Sequence, residues 1–295
     1  MWRSAMNNPL FRPPSEADSL ILQVDQGCPY NRCTFCGMYR DVKYARRSLA
    51  DIRLIIAAEA RRAPGTRRVF LADGDVMRRS CADLLVMLAE LSAQFPGLAR
   101  VNVYATGSAI QAKPENELRA LRAARLHTLY MGLESGDDET LRHVCKAESA
   151  AEMIAAGRRA QDCGLRMSVM ILLGLGGAER SREHAEATAA ALNRMQPRLL
   201  SALRVIPVPG TELYAEARSG QFRQLTECGA VEEMRLIVEC LDLTNTVFRA
   251  NHTSNVIPVE ARLPRDRRRL LEELDALLAS GTLDRNSPGR TPLWL

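Results

Sequence analysis

The sequence predicts an α/β protein built on a parallel sheet. Two observations carry this expectation. Six short apolar runs alternate with six helix-patterned segments between about residues 19 and 217, and the joining loops are short, so consecutive strands lie parallel with their helices as right-handed crossovers. A third observation concerns the strand ends, which collect cysteine, acidic and glycine residues where α/β folds place their sites. Sequence pattern alone leaves an open doubly wound sheet and a barrel as equal alternatives.

The elements follow in order. Residues 1–18 carry Pro9, Pro13 and Pro14 without an apolar period and are read as an irregular extension. The first strand covers about 19–25. Ser48-Leu49-Ala50-Asp51 is a capping box, after which Ile52, Ile55, Ile56 and Ala60 recur at helical spacing to about Arg62. Strand 67–72 ends in Asp73-Gly74-Asp75, and Cys81 to Ala93 reads as a helix. Strand 101–104 precedes a helix that Pro114 opens from its first position, where a missing N–H is harmless. Strand 127–132 follows, and the box Ser149-Ala150-Ala151-Glu152 opens a helix ending at Gly164. Strand 166–173, helix 182–195, strand 202–206 and helix 212–217 complete a core domain over 19–219. Residues 220–295 form a C-terminal extension with helices near 227–240 and 265–279, expected to close the open side of the core.

Composition narrows the function classes. With 46% apolar and 25% charged residues in 295, the chain is far from disordered composition. No apolar run approaches the roughly 18 residues of a membrane span. The N-terminal residues are broken by Asn and Pro and lack the apolar run of a secretory signal, so a cytoplasmic location is expected. A net charge of +5 suits anionic ligands as well as it suits a solvated arginine-rich surface.

The densest chemistry lies in Gly27-Cys28-Pro29-Tyr30-Asn31-Arg32-Cys33-Thr34-Phe35-Cys36-Gly37, directly after the first strand. Eight cysteines are too few for a disulfide scaffold of this length, and three of them fall within nine residues. Close thiolates suit zinc or an iron–sulfur cluster. A structural zinc site wants four ligands, and Cys81 and His127 belong to other elements. Three thiolates without a local fourth suit a cluster with one iron open to another molecule.

In these residues the chain resembles the radical S-adenosylmethionine (radical SAM) superfamily, whose fold is a partial (β/α)6 TIM-like barrel. The resemblance implies a [4Fe–4S] cluster on Cys28, Cys33 and Cys36. Its open iron chelates the amino and carboxylate groups of S-adenosylmethionine, and reductive cleavage gives a 5′-deoxyadenosyl radical that takes hydrogen from substrate. The common spacing is three residues then two, whereas Cys28-x4-Cys33-x2-Cys36 has four in the first interval. Phe35 matches the aromatic beside the adenine. Asp73, Gly74 and Asp75 sit where the family has a turn whose backbone holds the cofactor's amino group, and Ser108 lies at the next strand end. Tyr130-Met131-Gly132-Leu133-Glu134-Ser135-Gly136 is similar to the fourth-strand motif of the coproporphyrinogen oxidase and methylthiotransferase subgroup, with Glu134 toward the ribose or methionine. Gly174, in Gly174-Leu175-Gly176-Gly177, and Ile206 match the adenine-side positions of the fifth and sixth strands. A reducing partner such as flavodoxin or ferredoxin is implied.

Simpler roles stand beside these. Asp73 and Asp75 also suit helix capping, and Glu134 a turn. Gly174-x-Gly176 has Glu179 where a dinucleotide fingerprint needs a third glycine. The remaining cysteines read as small buried residues. His252, within the polar run 251–255, is the substrate-side candidate for catalysis, a polar turn being its alternative. The expected activity is hydrogen abstraction from a small-molecule or natural-product substrate, without membrane or nucleic-acid partners. A haem- or cluster-carrying protein and an RNA-modifying enzyme are the other readings, which haem titration and salt-dependent tRNA binding discriminate.

Overall fold

The computed structural model describes residues 11–289, so part of the expected N-terminal extension lies outside the described residues. Two compact units divide the chain. The first holds the chain up to Asn31, Met38–Tyr130 and Ala160–Leu165, and the second holds Arg32–Gly37, Met131–Arg159 and the chain from Arg166 onward.

In the first unit, β1 (Leu20–Gln23) leads into β2 (Asp25–Gln26), which pairs antiparallel with β3 (Ala45–Arg46). Then come α1 (Leu49–Arg62), β4 (Arg68–Ala72), α2 (Cys81–Gln94), β5 (Arg100–Tyr104), α3 (Gly107–Gln111), α4 (Glu115–Ala123) and β6 (Leu126–Glu134), whose residues from Met131 onward count with the second unit. β1 pairs with β4, β4 with β5 and β5 with β6, all parallel. The capping box at Ser48 forms as expected, its hydroxyl accepting from the Asp51 amide at 3.1 Å. Ile52 and Ile56 are fully buried on the face of α1 that their spacing selects, each contributing about 1.5–3 kcal/mol.

Alternation along these strands separates two faces. Val69, Leu71, Val101, Val103 and Leu129 are fully buried on one. On the other, Phe70, Ala72 and Tyr130 pack with Ile21 and Tyr104. This second face is polar at one end, where the buried Glu16 carboxylate accepts from Asn102 Nδ2 at 2.8 Å and from the Tyr130 hydroxyl.

The second unit contains α5 (Asp138–His143), α6 (Ala150–Asp162), β7 (Arg166–Leu173), α7 (Ser181–Met195), β8 (Leu199–Arg204), α8 (Glu212–Ser219), α9 (Glu227–Cys240), β9 (Thr246–Arg249), β10 (Glu260–Leu263) and α10 (Arg267–Ala279). β7 and β8 pair parallel, β9 joins β8 parallel, and β10 returns antiparallel. The strand order β1-β4-β5-β6-β7-β8-β9-β10 leaves β1 and β10 as open edges. Among the described residues no helix is long and apolar enough to cross a membrane.

Three expectations shift. Pro114 is the N-cap of α4 rather than its first residue, since the short helix α3 ends just before it. The sixth core strand runs Leu199–Arg204, placing Ile206 past its end; its Leu199-Leu200 pair is the register partner of Ser168 and Val169. The C-terminal residues also supply two strands, because Thr246 and Phe248 alternate inward and bury against β8.

One buried ion pair fixes the approach to the cysteine loop. Arg79, after β4, donates to Asp25 Oδ1 at 2.6 Å and to the carbonyls of Val24 at 2.9 Å and Arg47 at 2.8 Å, with side-chain exposures of 3% and 1% for the pair. Replacing Arg79 by Met strands a buried carboxylate, and urea denaturation is expected to show a loss of about 3–5 kcal/mol. A change under about 1 kcal/mol would contradict the assignment.

Candidate functional site

The site is built from the strand ends. In the first unit, the Val24 amide donates to the Ala72 carbonyl at 2.7 Å, bringing the start of the cysteine loop beside the turn after β4. The buried Asp73 carboxylate accepts from Gln23 Nε2 at 2.7 Å, the Gly27 amide at 3.3 Å and the Tyr39 hydroxyl at 3.4 Å. Burial pushes this carboxyl above its ordinary range, against the pull of those donors. Gly74 then lies on the loop backbone: a Cβ there would stand 2.7 Å from Cys28 Cα and 2.7 Å from the Gly27 carbonyl oxygen. The buried Asp75 carboxylate accepts from the Thr106 hydroxyl at 2.6 Å and its amide at 3.2 Å, while Thr106 caps α3. Ser108 is exposed on α3, its hydroxyl 3.2 Å from that of Thr106.

In the second unit, the segment with Cys33 and Cys36 is pinned by main-chain bonds. Thr34 donates to the Val144 carbonyl and accepts from the Leu213 amide. Phe35, half-buried, packs on a cluster that includes Leu175, Val205 and Leu213. Cys28, Cys33 and Cys36 are of intermediate exposure and lie outside any disulfide.

Glu134 ends β6 with φ +63°, a left-handed conformation unusual for a non-glycine residue. Its carboxylate folds back along the strand, so that a Cβ on Gly132 would fall 1.9 Å from its Oε1, which accounts for the glycine in this motif. Lys146 Nζ donates to the same oxygen at 3.3 Å. Burial alone would lower the Lys146 ammonium, but Glu134, Cys33 and Glu148 hold it above its ordinary value.

At the end of β7, the Gly174 amide donates to Glu233 Oε1 at 2.6 Å, and the Ser181 hydroxyl donates to Oε2 at 2.5 Å. Burial raises the Glu233 carboxyl to about 7. His184, also fully buried, has Nδ1 2.8 Å from the Ser135 hydroxyl and Nε2 3.5 Å from Glu233 Oε1. Burial lowers this imidazole to about 4, so it is neutral.

The structure thus brings Asp73 and Gly74 to Cys28 within the first unit. It brings Phe35 to Leu175 and Val205, neighbours of Gly174 and Ile206, within the second. His252 is engaged locally: Nδ1 accepts from the Ser254 amide at 3.1 Å, which places the ring proton on Nε2, and burial lowers its pKa. Thr253 and Asn255, on either side of Ser254, line a cleft of about 540 Å³ with Arg204, Glu227 and Asp284. Sequence reading missed Lys146, His184 and Glu233. Only Glu233 left a signal, a carboxylate on the apolar face of α9 among the buried Ala230, Met234 and Ile237.

The donor set fits an iron–sulfur group: three cysteines outside any disulfide on one nine-residue stretch, with a side-chain-free turn against the first of them. Among the described residues no three His, Cys, Asp or Glu side chains converge as a single metal ion would require. Fold and strand-end site together define an α/β protein of partial-barrel type. The family model of the radical SAM superfamily matches residues 22–188, over half of the sequence, and the chain belongs to that superfamily. No curated protein sequence matches it.

Among solved structures it is similar to the FeFe-hydrogenase maturase HydG of Carboxydothermus hydrogenoformans, at 18% identity over 86% of this chain and 56% of that one, TM-score 0.53. It is likewise similar to methylornithine synthase PylB, at 17% identity over 92% of this chain and 83% of that one, TM-score 0.54. Coproporphyrinogen III oxidase HemN of Escherichia coli matches at 17% identity over 89% of this chain and 52% of that one, TM-score 0.52. The chain spans about half the length of the first structures it matches. Identities this low establish a shared fold, the expected partial barrel with open edges.

The buried carboxyl yields a pH prediction. Glu233 titrates near 7 when folded and near 4.5 when unfolded, so its proton contributes stability that is full below about pH 4.5 and lost as pH rises through about 7. His184 acts oppositely, contributing above pH 6.5 and losing that contribution as pH falls through about 4. From pH 5 to 6.5 the two contributions oppose each other, so urea midpoints are expected to stay nearly level in the wild type there and to decline between pH 6.5 and 7.5, whereas in Glu233→Gln, with only the His184 contribution left, they rise from pH 5 to 6.5 and show no later decline. An equal slope in both proteins would contradict the assignment.

Proposed function

We propose that this protein is a radical SAM enzyme that carries a [4Fe–4S] cluster on Cys28, Cys33 and Cys36. In this reading it binds S-adenosylmethionine at the strand ends and acts on a small-molecule or natural-product substrate. The observation that carries the reading is the cysteine loop itself, three cysteines outside any disulfide after the first strand with the Asp73-Gly74-Asp75 turn packed on Cys28. When bound, the cluster would supply one electron to the sulfonium of S-adenosylmethionine, breaking its S–C5′ bond with release of methionine, so that the freed 5′ carbon would take a hydrogen atom from substrate. The electron comes from a reducing partner such as flavodoxin or ferredoxin.

The chain's own residues divide the remaining work. The side chains of Asp73 and Asp75 are already engaged by Gln23, Tyr39 and Thr106, so the turn offers its backbone to the cofactor's amino group. Glu134, steadied by Lys146, presents a carboxylate to the ribose hydroxyls or the methionine end. Phe35, Ile206 and the Gly174 turn supply a largely apolar surface that suits a purine, and Ser108 adds a hydroxyl. His252, neutral with its proton on Nε2, is the residue assigned to the substrate side.

Anaerobic reconstitution is expected to give about four irons per chain, and reduction in the presence of S-adenosylmethionine to release 5′-deoxyadenosine. Single replacements of Cys28, Cys33 or Cys36 by Ala should abolish both. Absence of a cluster, or of any cofactor cleavage product, would falsify the reading. Gly74→Ala sets a methyl group 2.7 Å from main-chain atoms that cannot swing aside. The loop must therefore shift, and iron content is expected to fall well below the wild type while the circular dichroism spectrum is kept. Full iron occupancy in this variant would show that the close approach is dispensable.

A further inference from the structure

Glu233 lies on α9, beyond the segment 22–188 that carries the family match. Its carboxyl is buried and accepts two hydrogen bonds, from the Gly174 amide at 2.6 Å and the Ser181 hydroxyl at 2.5 Å. β7 ends at Leu173, and Gly174 turns away with φ +79°, so its N–H leaves the ladder and needs an acceptor. Burying a carboxyl is costly, and an apolar residue usually serves stability as well or better. What a carboxyl adds at this place is a fixed direction for one amide.

The same carboxyl lies beside a buried polar chain from the neighbouring strand end. The Asp137 amide donates to Ser135 Oγ at 2.9 Å. That leaves the Ser135 hydroxyl to donate to His184 Nδ1 at 2.8 Å, while His184 Nε2 lies 3.5 Å from Glu233 Oε1, outside hydrogen-bond geometry. Ser135 directly follows Glu134, so the polar chain from that strand end reaches the side of Glu233, the residue bonded to the Gly174 strand end.

We infer that Glu233 is a positioning residue for the cofactor: through the Gly174 amide it sets the turn against which the adenosyl group of S-adenosylmethionine rests. This rests on the cofactor reading given above. Glu233 does not touch the cofactor; its effect passes through main chain. Its loss therefore alters cofactor affinity and the mobility of residues 172–177 while leaving the cysteine loop and its iron in place.

The test compares wild type, Glu233→Ala and Glu233→Gln as anaerobically reconstituted protein. S-adenosylmethionine affinity is read by equilibrium dialysis, iron content by colorimetry, and deuterium uptake over 172–177 by mass spectrometry. Glu233→Ala is expected to bind S-adenosylmethionine at least tenfold more weakly, with faster exchange at 172–177 and unchanged iron. Glu233→Gln, whose amide oxygen can still accept from Gly174, is expected to stay within threefold of wild type. Wild-type affinity in Glu233→Ala, or equal loss in both variants, would overturn the positioning role. Should Glu233→Ala not fold, Glu233→Asp decides, since it retracts the carboxylate by one methylene: weaker binding with full iron supports the role, and wild-type binding overturns it. A wild-type protein that bound no S-adenosylmethionine would sink the cofactor reading itself, and the inference with it. That outcome is distinct from a wild type that binds and an alanine variant that binds equally well.

Discussion

Main chain resting on main chain is the constraint around which the first unit arranges its cysteine loop. With no side chain at Gly74, the turn after β4 reaches the backbone of Gly27 and Cys28, and a single methyl group would exceed the space. Such an approach persists only if both partners are held from behind. Asp73 does this for the loop, binding Gln23, Gly27 and Tyr39 at once. Asp75 does it for the turn, through Thr106. Arg79 closes the arrangement below, tying the same turn to Val24, Asp25 and Arg47. Three charged groups within seven residues of β4 thus serve one close contact.

The buried titratable groups follow a common logic. Arg79 with Asp25, Glu134 with Lys146 and Glu233 beside His184 all lie at or just beyond strand ends rather than among the apolar side chains that stabilise the sheet. Pairs of this kind add little net stability over apolar replacements. They hold main chain at chosen angles. In each unit they stand behind a backbone feature that apolar packing cannot orient: the Gly74 approach in one, the left-handed Glu134 and the Gly174 amide in the other. Rigidity around a site is placed where the sheet's own hydrogen bonds run out.

Local signals were legible where local physics decides. The boxes at Ser48 and Ser149 formed because the bonds involved span three residues. The six strand–helix repeats were readable for the same reason, each period being set within one element. Elements decided by distant partners were not. β9 depends on pairing with β8 across more than forty residues, and four residues in a polar neighbourhood carry no period of their own. The roles of Asp73 and Asp75 could be narrowed to turn residues, but that their carboxylates face the protein depends on Gln23, Tyr39 and Thr106. Lys146 was invisible because its partner lies twelve residues earlier on another element, whereas Glu233, also missed, had left a signal as a carboxylate on an apolar helix face.

The extra residue between Cys28 and Cys33 finds a physical account in Asn31. This residue adopts φ +44°, and its side-chain amide donates to the Tyr39 carbonyl at 2.7 Å. A left-handed residue turns the chain more sharply than an extended one, so it can take up added length without carrying the ends apart. Asparagine tolerates that conformation better than most residues. The bond to Tyr39 matters as much as the turn, because Tyr39 also holds Asp73 and so belongs to the scaffold that fixes Gly27 and Cys28. The longer interval is therefore not slack. Through Asn31 it is bonded to the residue that also holds Asp73, beside the first cysteine.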